Sequence, residues 1–558
     1  MTATPAIPLH AVKHGEVFTK RWVVELILDM VKYTVDRDLA TLQVVEPACG
    51  GGAFLLPLTE RLSASARQNG RTLADLADSV RAFDLLGENV DATRQRVRDL
   101  LIADGWDEAE SAALTEKWIS QGDYLLGATE AALADVVVGN PPYIRLEDVP
   151  ADRMKAYRQS CTTMTGRADI YVGFIERGLK ALKPGGILGF IVADRWMRNQ
   201  YGRGLRELIA DRFSVDACVQ MHDVDAFEDQ VAAYPAVTLI RNGQQGQAIV
   251  ANTTKRFGAG DAHDLSGWLE SGHEESVANQ CWEAGRLPHW FEGGDLWPTG
   301  SPAVLAMIEE LNENFFPLED SAPETRIGIG VATGADAIFL TKDAPIEPAR
   351  LLPLSMTADT RSGKLVWSGT HLVNPWDEDG SLIVLEDWPQ LASYMRKNET
   401  SLKGRSIARR NPAAWYRTID KVANSLTARP KLLFPDMKMT SRPVLDPGGF
   451  YPHHNLYYII SESWDLRVLG GLLFSRVVEA TIAAYCVKMR GGTLRFQAQY
   501  LRQVRVPRPE SISTADARDL SAAFENRDAE AATKAAVRVY GLSRNHEDWL
   551  SSPAFAGL

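Results

Sequence analysis

Cysteine is scarce in this chain. Its 558 residues hold only Cys49, Cys161, Cys218, Cys281 and Cys486, an odd number with no Cys-x-x-Cys pair. That argues against a disulfide framework or structural zinc, and for a reducing cytoplasm. Long apolar runs are missing too. None approaches the ~20 residues that a membrane span needs. Met1 to His10 lacks a basic stretch followed by an apolar core, so no leader is expected there. Positive charge is in deficit: 60 Lys and Arg stand against 72 Asp and Glu, a net of −12. No global basic field advertises nucleic acid, so any such binding must rest on local charge. Repeats and low-complexity blocks are absent. The rest is ordinary for a soluble globular protein, at 45% hydrophobic and 24% charged residues. The length suits two to four domains.

The most informative stretch runs from Ala134 to Tyr143. Val136-Val137-Val138 is a β-branched run suited to a strand buried on both faces. Gly139-Asn140-Pro141-Pro142-Tyr143 ends it, because proline cannot continue a central ladder. In an open α/β sheet, ligands bind at the carboxyl ends of strands. Asn140, Pro141, Pro142 and Tyr143 suit one chemical task. An exocyclic amine on an aromatic ring is a poor nucleophile, since its lone pair is delocalised. The Asn140 side-chain oxygen and the Pro141 carbonyl can both accept from such an NH2 and favour its tetrahedral form. Tyr143 can stack on the ring. The plainer alternative is a strand with a proline-rich turn.

Other stretches form a series around this one. A helical spacing of Trp22, Val23, Leu26, Ile27, Met30 and Val31 predicts an amphipathic helix over 14–35, with Thr19 at its N-cap. Its N-terminus suits an anionic group such as a carboxylate. Val44-Val45-Glu46-Pro47-Ala48-Cys49-Gly50-Gly51-Gly52 reads as a strand meeting a small-residue turn, where glycine lets a ligand approach the backbone. It is neither a P-loop nor a strict dinucleotide turn. A second strand, Val80 to Asp84, ends in an acid able to accept two ribose hydroxyls. Gly122-Asp123-Tyr124 offers an acid and a ring to an adenine.

In this order the motifs resemble the gamma-group (TaqI-like) adenine-N6 DNA methyltransferases, over about residues 14–243. Glu46-Pro47-Ala48-Cys49-Gly50 is similar to the cofactor turn of class I methyltransferases. Ala168 to Ile175 and Leu182-Lys183-Pro184-Gly185-Gly186 continue the likeness. Val215 to Met221 and Tyr234 to Arg241 look like the last two strands, an antiparallel edge. The resemblance implies an α/β fold with a Rossmann-like, doubly wound class I methyltransferase sheet, followed by a C-terminal mixed α+β target-recognition domain. It implies S-adenosyl-L-methionine as cofactor, held by Thr19, Glu46, Pro47, Ala48, Cys49, Gly50, Asp84, Asp123, Tyr124 and Asn140. The substrate is then double-stranded DNA, with the adenine turned out of the duplex and stacked by Tyr143 and Phe227. Tyr234 is the alternate to Phe227. A cognate restriction endonuclease is the partner that the family suggests. No metal or covalent nucleophile is required. A cytosine-C5 enzyme would need a Pro-Cys dipeptide, which the chain lacks. A cytosine-N4 enzyme more usually carries Ser-Pro-Pro-Tyr.

The second half is read from charge and looser likeness. Arg326 to Phe339 looks like the strand-turn that opens a recognition domain, and Arg490 to Pro507 like its close. Domains are expected at 1–243, catalytic; 244–320, an irregular linker; 321–510, recognition; and 511–558, a helical tail. From Ser401 to Arg442 ten Lys and Arg face two acids, interleaved with Trp415, Tyr416 and Phe434. Lys488 to Arg508 adds six basic residues, Phe496 and no acid. Arg405, Arg409, Arg410, Lys431, Lys438, Arg490 and Arg495 are therefore candidates for DNA phosphates; a solvated basic face is the alternative. Rival readings are an RNA or protein-amide methyltransferase, a non-enzymatic DNA-binding module, and a fused nuclease using Asp420 and Asp436-Met437-Lys438.

Overall fold

The computed structural model describes residues 17–127, 134–228, 234–272, 274–486, 494–552 and 555. The chain divides into two compact units, Met1–Leu305 and Ala306–Leu558.

The first unit is built on one ten-stranded sheet. Its strands are β1 (Val44–Glu46), β2 (Val80–Asp84), β3 (Ile119–Gln121), β4 (Ala134–Gly139), β5 (Leu182–Ala193), β6 (Ser214–Gln220), β7 (Pro235–Arg241), β8 (Ala248–Thr253), β9 (Ser276–Ala278) and β10 (Trp282–Leu287). They lie in the order β3-β2-β1-β4-β5-β7-β6-β8-β10-β9. β1 to β5 pair in parallel, and β7 enters antiparallel between β5 and β6. The order reverses between β1 and β4, which opens a crevice at their carboxyl ends. Val136, Val137 and Val138 are all buried, as a strand covered on both faces requires.

Two sequence expectations are corrected in this unit. Residues 244–320 are not an irregular linker: β8 pairs in parallel with β6, and β10 pairs antiparallel with β8 and β9. The β6–β7 pair is consequently interior to the sheet. Ala248, Val250 and Ala284 are buried in those added strands. Small and polar residues thin out the alternation in Ala248–Thr253 and Trp282–Leu287, so the pattern is weak when read locally. The first helix, α1 (Arg21–Met30), starts one residue later than the Thr19 cap implies. Its N-cap is Lys20, and no side chain caps it. Val24 and Leu28 are buried along with Val23, Leu26, Ile27 and Met30. The helix is thus covered on more than one face, which explains why a single apolar stripe underestimates it.

The second unit is mixed α+β. One antiparallel sheet joins Arg326–Ile329, Leu456–Ile460, Lys431–Pro435 and Val444–Asp446; a mixed sheet joins Leu340–Thr341, His371–Val373, Leu351–Ser355 and Tyr451–Pro452, the last pair parallel. The segment expected as a helical tail over 511–558 is helical through Ser551, but its helices are packed rather than trailing. Helices Thr514–Asn526 and Ala529–Tyr540 bury Leu520, Phe524, Ala532 and Ala536. The Leu520 carbonyl packs so closely on Gly471 that an added Cβ there would lie 2.3 Å from it. Among the described residues no single helix is long and apolar enough to cross a membrane.

Candidate functional site

A pocket opens at the reversal point of the first unit's sheet. Nine cofactor candidates from the sequence line it together with Asn140: Thr19, Glu46, Pro47, Ala48, Cys49, Gly50, Asp84, Asp123 and Tyr124. Pro141, Pro142 and Tyr143 join them. Segments spread over more than a hundred residues converge because β1, β2 and β4 end side by side.

Asn140 follows β4 directly. Its amide nitrogen donates to the Val17 carbonyl (2.8 Å) and to Thr19 Oγ1 (3.1 Å). Its amide oxygen is buried with no partner. The hydrogen bonds thus orient the amide: the nitrogen faces an acceptor pair, and the oxygen is left free to accept. Thr19 therefore holds the amide rather than capping α1. The strap carrying Thr19 is itself clamped. Lys20 N donates to Ala226 O (3.0 Å), Glu228 N donates to Phe18 O (2.9 Å), and Lys20 pairs with Asp225.

The glycine turn is shaped by Asp84. One Asp84 oxygen accepts the Gly50 N–H (2.9 Å); the other accepts from Leu86 N (2.9 Å) and Asn89 (3.2 Å). Gly50 and Gly52 have φ of +49° and +86°, the left-handed region that favours glycine. Phe18, 38% exposed, lies against the turn, with its ring edge 3.2 Å from where a Cβ on Gly51 would sit. Glu46 is buried, and its Oε2 has no partner. Burial, then the nearby Asp84 charge, pushes its carboxyl up to about 8. Burial also pushes the Cys49 thiol up, which removes it as a nucleophile. A buried acid held above its usual range is a place that accepts a cation or a donor.

Asp123 is engaged by groups that sequence reading missed. Its Oδ2 accepts from Tyr157 OH (2.8 Å) and Arg153 Nε (3.2 Å), and its Oδ1 from Leu125 N (3.1 Å). Arg153 and Tyr157 sit four apart on helix Ala151–Ser160, a spacing that places both on one face. Tyr124 stacks on Phe174, at 5.8 Å and 18°.

Tyr143 and Phe227 do come together, but not as parallel faces. Their centroids are 6.1 Å apart at 77°, edge to face. Phe227 is 5% exposed and bridges Thr19 in a short antiparallel contact. In this arrangement the two rings leave no slot for a base. Tyr234 lies instead against His222, at 5.2 Å.

The basic candidates of the second unit separate sharply. Lys431 is fully buried and pairs with the buried Asp446 at 2.9 Å, so it is not a phosphate contact. Arg405 spends its guanidinium on the carbonyls of Leu402, Thr333, Trp415 and Arg417. Arg495 pairs with Asp436. Phe434 and Phe496 stack on one another in the core. Arg409 and Arg410 are exposed, Lys438 is half-buried, and Arg490 lies outside the described residues. The acids of the nuclease reading are occupied separately, Asp420 by the Ala332 N–H (2.8 Å) and Asp436 by Arg495.

A doubly wound sheet, a glycine turn after β1 and Asn-Pro-Pro-Tyr after β4 define a methyltransferase-type unit. Residues 79–227 match a family model described as Eco57I restriction-modification methylase. The Type II methyltransferase M.PaeR7I of Pseudomonas aeruginosa is 43% identical over 539 residues, 96% of this chain and 92% of that protein. M.XhoI of Xanthomonas vasicola is 37% identical over 542 residues, 96% of this chain and 98% of that protein. The solved structure of the Type IIL restriction-modification enzyme MmeI in complex with DNA shares the fold. It has a TM-score of 0.56 at 12% identity, over 96% of this chain and 77% of that one. The chain belongs to the Type II methyltransferases of restriction-modification systems.

Proposed function

We propose that this protein transfers a methyl group from S-adenosylmethionine to N6 of an adenine turned out of double-stranded DNA, as the modification arm of a restriction-modification system. The observation that carries the reading is Asn140, whose buried oxygen lacks a donor while its nitrogen is spent on Val17 and Thr19. An exocyclic amine supplies the missing N–H. Asn140 Oδ1 accepts one amine hydrogen and the Pro141 carbonyl the other, so the nitrogen lone pair turns from the ring toward the electrophile. Tyr143 supplies a stacking face, and Phe227 becomes a second one when its loop shifts. The same acceptors would serve the N4 amine of cytosine. Asparagine at position 140, in place of the serine usual in N4 enzymes, favours adenine.

The cofactor fits the donor set. The orphaned Glu46 oxygen suits the ammonium of a methionine moiety; the glycine turn and Asp84 suit a ribose; Asp123 and Tyr124 suit an adenine. S-adenosylmethionine supplies a methyl on a sulfonium, electrophilic enough for a single in-line displacement. The chain's own contribution is alignment, exclusion of water and two fixed acceptors. Exposed Arg409 and Arg410, with Lys438, serve DNA phosphates.

The test is transfer of radiolabelled methyl to unmethylated genomic DNA, followed by nucleoside analysis. Label in N6-methyladenine is expected. Label in N4-methylcytosine would correct the base, and label only in RNA or protein would overturn the substrate. Asn140→Ala should lower turnover about a hundredfold or more, with cofactor binding retained. Full activity in that variant refutes the role of the amide.

A further inference from the structure

A second cluster of chemistry lies in the second unit, unused by methyl transfer. Asp336 and His453, 117 positions apart, meet because the segment 330–336 and the segment 451–456 are stitched together. Val331 N donates to Pro452 O (2.9 Å), His454 N to Val331 O (3.1 Å), and Gly330 N to Leu456 O (2.9 Å). A Cβ on Gly330 would sit 2.2 Å from the His453 carbonyl, so only glycine permits this approach.

One nitrogen from each of His453 and His454 and one carboxylate oxygen of Asp336 lie within 4.8 Å of one another. His453 Nε2 and Asp336 Oδ2 are 3.3 Å apart. That is long for an ionised hydrogen bond, which is usually about 2.7–2.9 Å. It is the separation of two ligands that each sit about 2.0–2.1 Å from one tetrahedral ion. The Nδ1 atoms of both histidines are buried with no hydrogen-bond partner. His453 is 2% exposed, so an ion held there would rest against a buried imidazole on that side. Thr333 Oγ1 donates to the other Asp336 oxygen and fixes the carboxylate, as the outer partners of metal ligands do. Asp336 is 47% exposed on its side chain, so the cluster opens to solvent on that side.

We propose that Asp336, His453 and His454 bind one divalent transition-metal ion of the zinc class, with a solvent oxygen completing the shell. Two imidazoles and a carboxylate are a donor set of suitable hardness for zinc, cobalt or nickel. The ion would tie the turn after Arg326–Ile329 to the turn before Leu456–Ile460, two antiparallel neighbours in one sheet. The cysteine count bears only on thiolate sites, so it does not weigh against this one. The inference stands independently of the methyl-transfer reading.

The test uses the full-length protein, stripped with a chelator, dialysed, and titrated with Co2+ and then Zn2+. The wild type should bind one Co2+ with the visible absorption of a tetrahedral site, lose it to Zn2+, and melt at a higher temperature with Zn2+ present. Asp336→Asn and His454→Ala should each weaken binding at least tenfold and abolish the melting shift. His263→Ala, at an exposed position in the other unit, should change neither. If His454→Ala fails to fold, Asp336→Asn, which keeps the side-chain shape, decides. No stoichiometric ion in the wild type overturns the proposal. So does binding that Asp336→Asn leaves unchanged, which would put the ion elsewhere.

Discussion

At Asn140 the two ends of one amide do different jobs. The nitrogen is tied to Val17 and Thr19, and the oxygen is buried and unpaired. Two acceptors on one NH2 fix the plane of the amide, whereas one would leave it able to swing. Thr19→Val removes one acceptor at nearly constant volume and leaves the Val17 carbonyl. Turnover should then fall about tenfold, which is about 1.4 kcal/mol. KM for DNA should hold, and Thr19→Ser should restore the rate. Steady-state kinetics with both substrates checks this. A loss of cofactor affinity at unchanged turnover would instead make Thr19 a cofactor contact, as the family resemblance implies. The sequence marks Asn140 and Thr19 separately as site residues. Their hydrogen bond spans 121 positions and no local pattern encodes it.

The element scale separates charge that folds the protein from charge that faces outward. The stretch Ser401–Arg442 reads as one basic run, yet its members differ in kind. Lys431 lies in the central strand Lys431–Pro435, every residue of which is buried, and answers Asp446 on the neighbouring strand Val444–Asp446. Removing Lys431 leaves a buried, unpaired carboxylate. Lys431→Ala should therefore destabilise the second unit by roughly 3–5 kcal/mol, read by urea unfolding. Arg409 and Arg410 end a short surface helix, Ser406–Arg410. Replacing both with Ala should leave the unfolding midpoint nearly unchanged. It should lower the slope of log affinity against log salt by roughly 1.8 if each neutralises one phosphate. An unchanged slope would place the DNA contacts elsewhere. Composition cannot make this distinction, because burial of a lysine depends on a partner fifteen residues away.

For the molecule as a whole, the first unit extends past the core that the motifs delimit. β8 pairs with β6 from Ala217 to Gln220, and β10 covers β8 in turn. A fragment ending at Gly243 would bare the edge of β6 and the apolar surface around Val219, which β8 otherwise covers. That fragment should aggregate, while one ending at Leu305 should be soluble and monodisperse by size-exclusion chromatography. A monodisperse 1–243 fragment that still binds cofactor would show that β8–β10 are an accessory to the fold.

The sequence by itself determined the motifs and their order. β4 with its proline stop, the glycine turn after β1, and acids at the ends of β2 and β3 are short-range patterns set by backbone sterics and side-chain period. Strand ends, turns and a shared crevice follow from them. Only the tertiary structure decided what each polar group does. It sends the Asp84 carboxylate to the Gly50 N–H, the Asp123 carboxylate to Arg153 and Tyr157, and Lys431 into the core. It also sets Phe227 edge-on to Tyr143, and brings Asp336 to His453. The physical reason is range. A strand or a turn is chosen by neighbours a few residues away. A buried charge or amide is committed by whichever partner the packed fold brings within about 3 Å, and that partner can lie anywhere in the chain.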